Sequence, residues 1–299
     1  MPEPFFSMKS ISTARYFFTA AAFFIFFGTF AQQPTAENTA GASLSGKAPA
    51  QTMQGFRENK GQMLDGNGNP RQDVRFLFDN KNGFKLHLKQ SGFAFEVYNY
   101  RPAPPLVDES TGKNRNAGKR DYVSEVIEVE LAGANPEPEI VKEGKSRAYN
   151  NYFLGHVQAT FVHDYQKITY KNIYPHIDLV FQWREVANVG QGEEMPLGLK
   201  YDFVVHPGGD PSQIRLRHSG GEKAWTDKNG LLHLPTAHGE LLQKIPAIFT
   251  PAKAVDGRFS LKGGQLGFEL GRYDPRQTLT IDPDLYLRRE IGTYFGGGN

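Results

Sequence analysis

Asp65-Gly-Asn67-Gly-Asn69 spaces three side-chain oxygens two residues apart, as the first half of a calcium loop does. Calcium takes about six to eight oxygens, and a helix-loop-helix site closes with a bidentate acid at its twelfth position. That position is Phe76, inside an alternating apolar run, so the segment reads as a polar Gly/Asn turn. His176 and Asp178 are two apart and would share a strand face, and His206 with Asp210 brackets a Pro-Gly-Gly turn. Either pair could orient an imidazole, but catalysis would also need a nucleophile or a metal within reach. The chain has no G-x-S-x-G elbow and no H-E-x-x-H motif. These residues therefore read as polar flanks of turns at strand ends. His156 and His163 have no acid between them and read as unrelated loop and strand residues.

The carboxylates add little. Glu193-Glu194 falls in a loop, and Glu125, Glu128 and Glu130 do not all share one strand face. A glycosidase needs two acids about 5 to 10 Å apart across a cleft, and nothing in the spacing sets such a pair. Tyr149, Tyr152, Tyr165, Tyr170, Tyr174 and Trp183 crowd one stretch of chain. Aromatic faces bind sugars or peptides, and they also fill sandwich cores. Core filling is the favoured reading. The chain has no cysteine, which excludes disulfides, thiolate metal sites and cysteine nucleophiles together. A formal net charge of +2, with acids and bases interleaved, supplies no basic stripe for nucleic acid. The residues accordingly assign no catalytic, cofactor-binding or metal site, and no cofactor is expected.

The elements that would position these groups are strands. Val74, Phe76 and Phe78 alternate with Arg75, Leu77 and Asp79; Phe84, Leu86 and Leu88 alternate with Lys85, His87 and Lys89; Phe93, Phe95 and Val97 continue the rhythm. It returns less cleanly at 123–131, 177–181, 199–205, 214–216, 231–234, 259–261, 266–270 and 279–281. The turns Asn80–Gly83, Asp227–Gly230, Val255–Gly257 and Lys262–Gly264 supply hairpin glycines. The expectation is an all-β, antiparallel sandwich of about fifteen strands over 53–284. Loops are expected at Pro102–Arg120 and Ala187–Pro196, and a division into two sub-domains, if there is one, would fall near 187. No stretch after the N-terminal segment carries a helical stripe.

That segment has its own logic. Lys9 and Arg15 precede twelve residues, Tyr16–Phe27, that are apolar or aromatic except Thr19, and Thr29-Phe-Ala31 offers small residues before a cut at Gln32. Residues 1–31 read as a signal peptide whose apolar run is too short to span a bilayer. Residues 32–52, rich in Ala, Ser, Gly and Thr, read as a flexible leader. The expected location is secreted or at the outer cell surface, with no stable membrane span once the signal is removed.

A set of ordered motifs adds a resemblance. Phe56-Arg-Glu-Asn-Lys-Gly-Gln62, Asn151-Tyr-Phe-Leu-Gly155, Tyr170-Lys-Asn-Ile-Tyr-Pro175, Leu199-Lys-Tyr-Asp-Phe-Val-Val-His-Pro-Gly208, Leu279-Thr-Ile-Asp-Pro283 and Thr293-Tyr-Phe-Gly-Gly297 follow one another. Together they resemble the poorly characterised N-terminal all-β domain of long exported proteins that carry β-propeller-type repeats and type IX sorting domains. The resemblance implies a cell-surface or secreted module and brings no catalytic residues. Residues 285–299 read as the start of a first repeat, so a truncated gene or fragment is expected. The functional expectation is a non-catalytic scaffold or adhesion unit, with carbohydrate or protein at the cell surface as partner. The alternatives are a hydrolase of extracellular polymers and a non-functional fragment.

Overall fold

The computed structural model describes residues 55–289, apart from Gly112, Ala117, His156 and 185–193. The expected signal and leader, residues 290–299 of the expected repeat start, the division near 187, His156 and Glu193 lie outside the described residues, whereas 285–288 of that expected repeat start form part of a strand. Within them the chain is all-β, with a single 3-10 turn at Pro211–Gln213 and no α-helix.

The first strands are β1 (Phe56–Glu58), β2 (Val74–Asp79), β3 (Phe84–Lys89), β4 (Gly92–Pro102), β5 (Arg120–Leu131), β6 (Glu139–Glu143) and β7 (Tyr149–Leu154). Next come β8 (Val157–Tyr165), β9 (Lys167–Tyr174), β10 (Ile177–Trp183), β11 (Glu194–Val205), β12 (Leu216–Ser219), β13 (Trp225–Thr226) and β14 (Leu232–Thr236). The last are β15 (Gly239–Gln243), β16 (Ala247–Phe249), β17 (Gly257–Lys262), β18 (Gln265–Leu270), β19 (Leu279–Asp282) and β20 (Asp284–Arg288). One sheet runs β17-β18-β12-β5-β4-β3-β2-β1-β8-β7. The second runs β13-β14-β15-β20-β11-β10-β9-β6, with β19 also on β11 and β16 on β19. Neighbouring strands pair antiparallel throughout.

Period-two patterning explains why the sheets face each other. In β3, Phe84, Leu86 and Leu88 are buried while Lys85, His87 and Lys89 turn outward. In β11, Leu197, Leu199, Tyr201, Phe203 and Val205 are buried in the same rhythm. The two inner faces merge in one apolar cluster. Phe93 sits at its centre, with ring centroids 5.3 Å from Phe95 on its own strand and 5.2 and 5.7 Å from Phe181 and Tyr201 of the opposite sheet. Burying each such side chain stabilises by about 1.5–3 kcal/mol. Tyr170 of β9 also crosses the layer, its hydroxyl donating to the Lys89 carbonyl at 2.6 Å.

The antiparallel sandwich is as expected, with differences in detail. Among the described residues there are twenty strands rather than about fifteen, because short or bulged strands such as β8 lose their rhythm in the sequence. Ile214 ends the 3-10 turn, and its strand begins only at Leu216. The second expected loop ends before Glu194, since Glu194 and Met195 already pair with Arg288 and Leu287. The β17–β18 turn uses Gly263 and Gly264 at φ 57° and 75°, as a two-residue mirror-image turn requires. Gly257 serves differently: a Cβ there would meet Ile248 Cδ1 at 2.3 Å, so the end of that side chain would have to move.

Candidate binding surface

The β7–β8 hairpin forms one edge of the first sheet. Tyr149 lies opposite His163 and Asn150 opposite Val162, after which the register shifts so that Tyr152 faces Ala159 and Phe153 faces Gln158. The shift leaves one extra residue in β8, a bulge. Phe161 stands in it with φ 52°, a conformation that bulky side chains rarely adopt. Its N–H donates to Asn151 Oδ1 at 2.9 Å, and Lys60 Nζ donates to its carbonyl at 2.9 Å.

The bulge aims an apolar ring at solvent. Phe161 lies 4.9 Å from Tyr149 between ring centroids, and Tyr149 lies 5.8 Å from His163. His163 is held by Nδ1 at 3.0 Å from the Ser146 carbonyl. Strand period places Tyr149, Asn151 and Phe153 on one face of β7. Tyr149, Phe153 and Phe161 remain 49, 68 and 56 % exposed. On the other face, Tyr152 accepts a hydrogen bond from Arg57, which also forks onto Asp164 at 2.8 and 3.0 Å. The hairpin is thus anchored by a charged fork on one face and carries aromatic rings in water on the other.

The aromatic cluster read from the sequence therefore divides. Tyr165, Tyr170 and Tyr174 are buried in the core, and Trp183 packs partly buried against it. Tyr149 and Tyr152 belong to the edge hairpin. Phe153 and Phe161 escaped sequence reading because nothing in their local pattern distinguishes an exposed phenylalanine from a buried one.

The histidine–acid pairs are recombined. Asp178 turns to His206 Nε2 at 3.0 Å and Lys171 Nζ at 2.7 Å, and it accepts the Asn172 N–H at 2.9 Å. Burial pushes its carboxyl up, but the bonds from Lys171, His206 and Asn172 outweigh that and hold it below the usual range. His176 is exposed in the β9–β10 turn at φ 58°. Asp210 caps the 3-10 turn through Ser212. The arrangement fixes an imidazole; its carboxylate is already occupied by an ammonium.

Asp65 closes its own turn by accepting from the N–H groups of Asn67 and Asn69, both at 2.8 Å. Glu125 accepts the Ala237 N–H, while Glu128 pairs with Lys89 and Glu130 with Arg217. Among the described residues no three His, Asp or Glu side chains gather as a metal site.

Two polar groupings were missed in the sequence. Glu96 binds His87 at 2.7 Å and the Tyr122 hydroxyl at 2.5 Å. Desolvation raises its carboxyl, yet His87 and Lys85 prevail and hold it near 2. Asp202 and Asp282 stand opposite on β11 and β19, as the Phe203–Ile281 pairing dictates, with Lys200 bonded to Asp282. Burial and then the Asp282 charge push Asp202 up to about 7. Sequence gave no sign of the pair because each acid occupies an ordinary outward strand position.

A family model described as a domain of unknown function, DUF7948, matches residues 56–284, from the first residue of β1 to the first of β20. No curated protein and no solved structure matches the chain.

Proposed function

The chain belongs to this family of domains of unknown function, DUF7948, and from that premise we propose that it is an exported, non-catalytic module that binds a partner at the cell surface through its β7–β8 hairpin. The observation that carries the reading is the exposed aromatic set Tyr149, Phe153 and Phe161, held in place by a strained bulge. Strain of this kind costs about 1–3 kcal/mol and persists where the surrounding structure holds it, often at ligand-binding positions. Export is supported by the charged, apolar and small-residue layout of residues 1–31. The motif order supports a place at the N-terminal side of propeller-type repeats and a type IX sorting domain, for which the sandwich serves as scaffold.

The test is co-sedimentation of the purified chain with intact cell envelopes and with isolated surface polysaccharide. Retention in the pellet that falls at least tenfold in the Tyr149→Ala, Phe153→Ala double variant supports the reading. Binding indifferent to both changes, or release of new reducing ends from the polysaccharide, overturns it, the latter in favour of a hydrolase.

A further inference from the structure

Among the described residues five strands end the two sheets, counting β16, which closes the β19 branch and is only three residues long, and they are not equally guarded. β6 carries Glu139, Lys142 and Glu143; β17 carries Arg258 and Lys262; β13 is only two residues long. Charge and shortness are the usual means by which a sheet edge avoids pairing with another chain. β7 has neither. Its six residues, Tyr-Asn-Asn-Tyr-Phe-Leu, include no charge and no proline, and two of its side chains are among the exposed large hydrophobics.

We propose that β7 pairs antiparallel with β7 of a second copy of this chain, making one sheet continuous across a two-fold axis. The proposal rests on the hairpin being the contact surface and names its occupant. A two-fold axis normal to the sheet keeps faces matched, so only residues of like parity can stand opposite one another. With the axis at Asn151, Tyr149 faces the partner's Phe153, and this contact occurs twice. Both residues are exposed on the same face, and opposed aromatic pairs stabilise antiparallel strands. Asn151 meets the partner's Asn151 at the axis with no charge to repel, and the mate of an isologous contact is always the same sequence. A charged strand such as β6 would bring like charges together under the same operation.

The absence of cysteine makes the register directly testable. Antiparallel neighbours have Cα atoms about 4.5–5.5 Å apart, inside the span of a disulfide. Asn151→Cys should cross-link to a dimer under mild oxidation, while Ser260→Cys on β17 should not. Sedimentation of the unmodified chain should show a monomer–dimer equilibrium that Phe153→Lys weakens at least tenfold and that Tyr149→Glu combined with Phe153→Lys restores. A chain monomeric at every soluble concentration, or a dimer indifferent to Phe153→Lys, overturns the proposal. A monomer that still binds cell envelopes would do so while leaving the proposed function standing.

Discussion

The two ends of the first sheet make a natural comparison. At one end, the β17–β18 hairpin is regular, turns on two glycines and covers itself with charge. Glu269 takes Arg258 at 2.6 Å and Lys262 at 2.9 Å, and those two cations hold its carboxyl near 2. At the other end, β7–β8 is bulged, places Phe161 at positive φ and exposes rings. Both hairpins belong to one sheet built by the same alternation. What differs is how each treats its outer margin: one binds its own charges together, whereas the other holds an apolar surface open. Exposed ion pairs add little stability, typically about 0–1 kcal/mol, so the charged end is better understood as guarding against partners than as strengthening the fold.

The largest expected effect tests whether both ends depend on one core. Phe93→Ala removes the ring that links the sheets and should cost about 3–5 kcal/mol in urea denaturation. Amide exchange should accelerate at both hairpins together. Acceleration at only one would break the comparison by showing that the ends are stabilised separately.

A change that touches neither edge sharpens it next. Asp202 has its folded-state value raised from 3.8 to about 7, so between those limits the folded state holds a proton that the unfolded chain releases. The contribution of this one group to stability should be greatest below about pH 4, fall as pH rises towards about 7, and level off above it, opposite in sign to the lowered carboxyls such as Glu96. Asp202→Asn should flatten that slope, with a gain on the order of 1–3 kcal/mol at alkaline pH, the usual cost of a buried charge imperfectly paired. The behaviour of both hairpins should stay unchanged. Chemical denaturation below, within and above the window measures it, and a slope that survives the substitution would assign the proton elsewhere.

The smallest effects should have opposite sign at the two ends. Phe161→Gly relieves the positive φ and should change stability by no more than about 1 kcal/mol in the stabilising direction, while it removes a ring from the binding face. Gly263→Ala introduces the same strain into the guarded hairpin and should cost about 1–2 kcal/mol. Loss of stability in Phe161→Gly would mean that the bulge is held by the ring itself.

Much of the sandwich was legible because alternation is a local property. Val74–Phe78, Phe84–Leu88 and Phe93–Val97 reveal their buried face residue by residue. Strands such as β8 were harder, since the bulge at Phe161 breaks the period where it matters most. Of the candidate site, Tyr149 and Tyr152 were within the aromatic cluster read from the sequence. Phe153 and Phe161 were not, and the partner of Asp178 proved to be His206 rather than His176.

The sequence by itself determined the all-β class, the hairpin turns at Asn80–Gly83 and Lys262–Gly264, and the exclusion of all thiol chemistry, because period, turn stereochemistry and composition need no knowledge of the rest of the chain. Only the tertiary structure decided that Tyr170 is core while Tyr149 is surface, that Asp202 meets Asp282, and that β7 ends a sheet without a guard. Period fixes which face a side chain takes. What covers that face depends on strands paired from distant parts of the chain, and their register is set by the packing of the whole core.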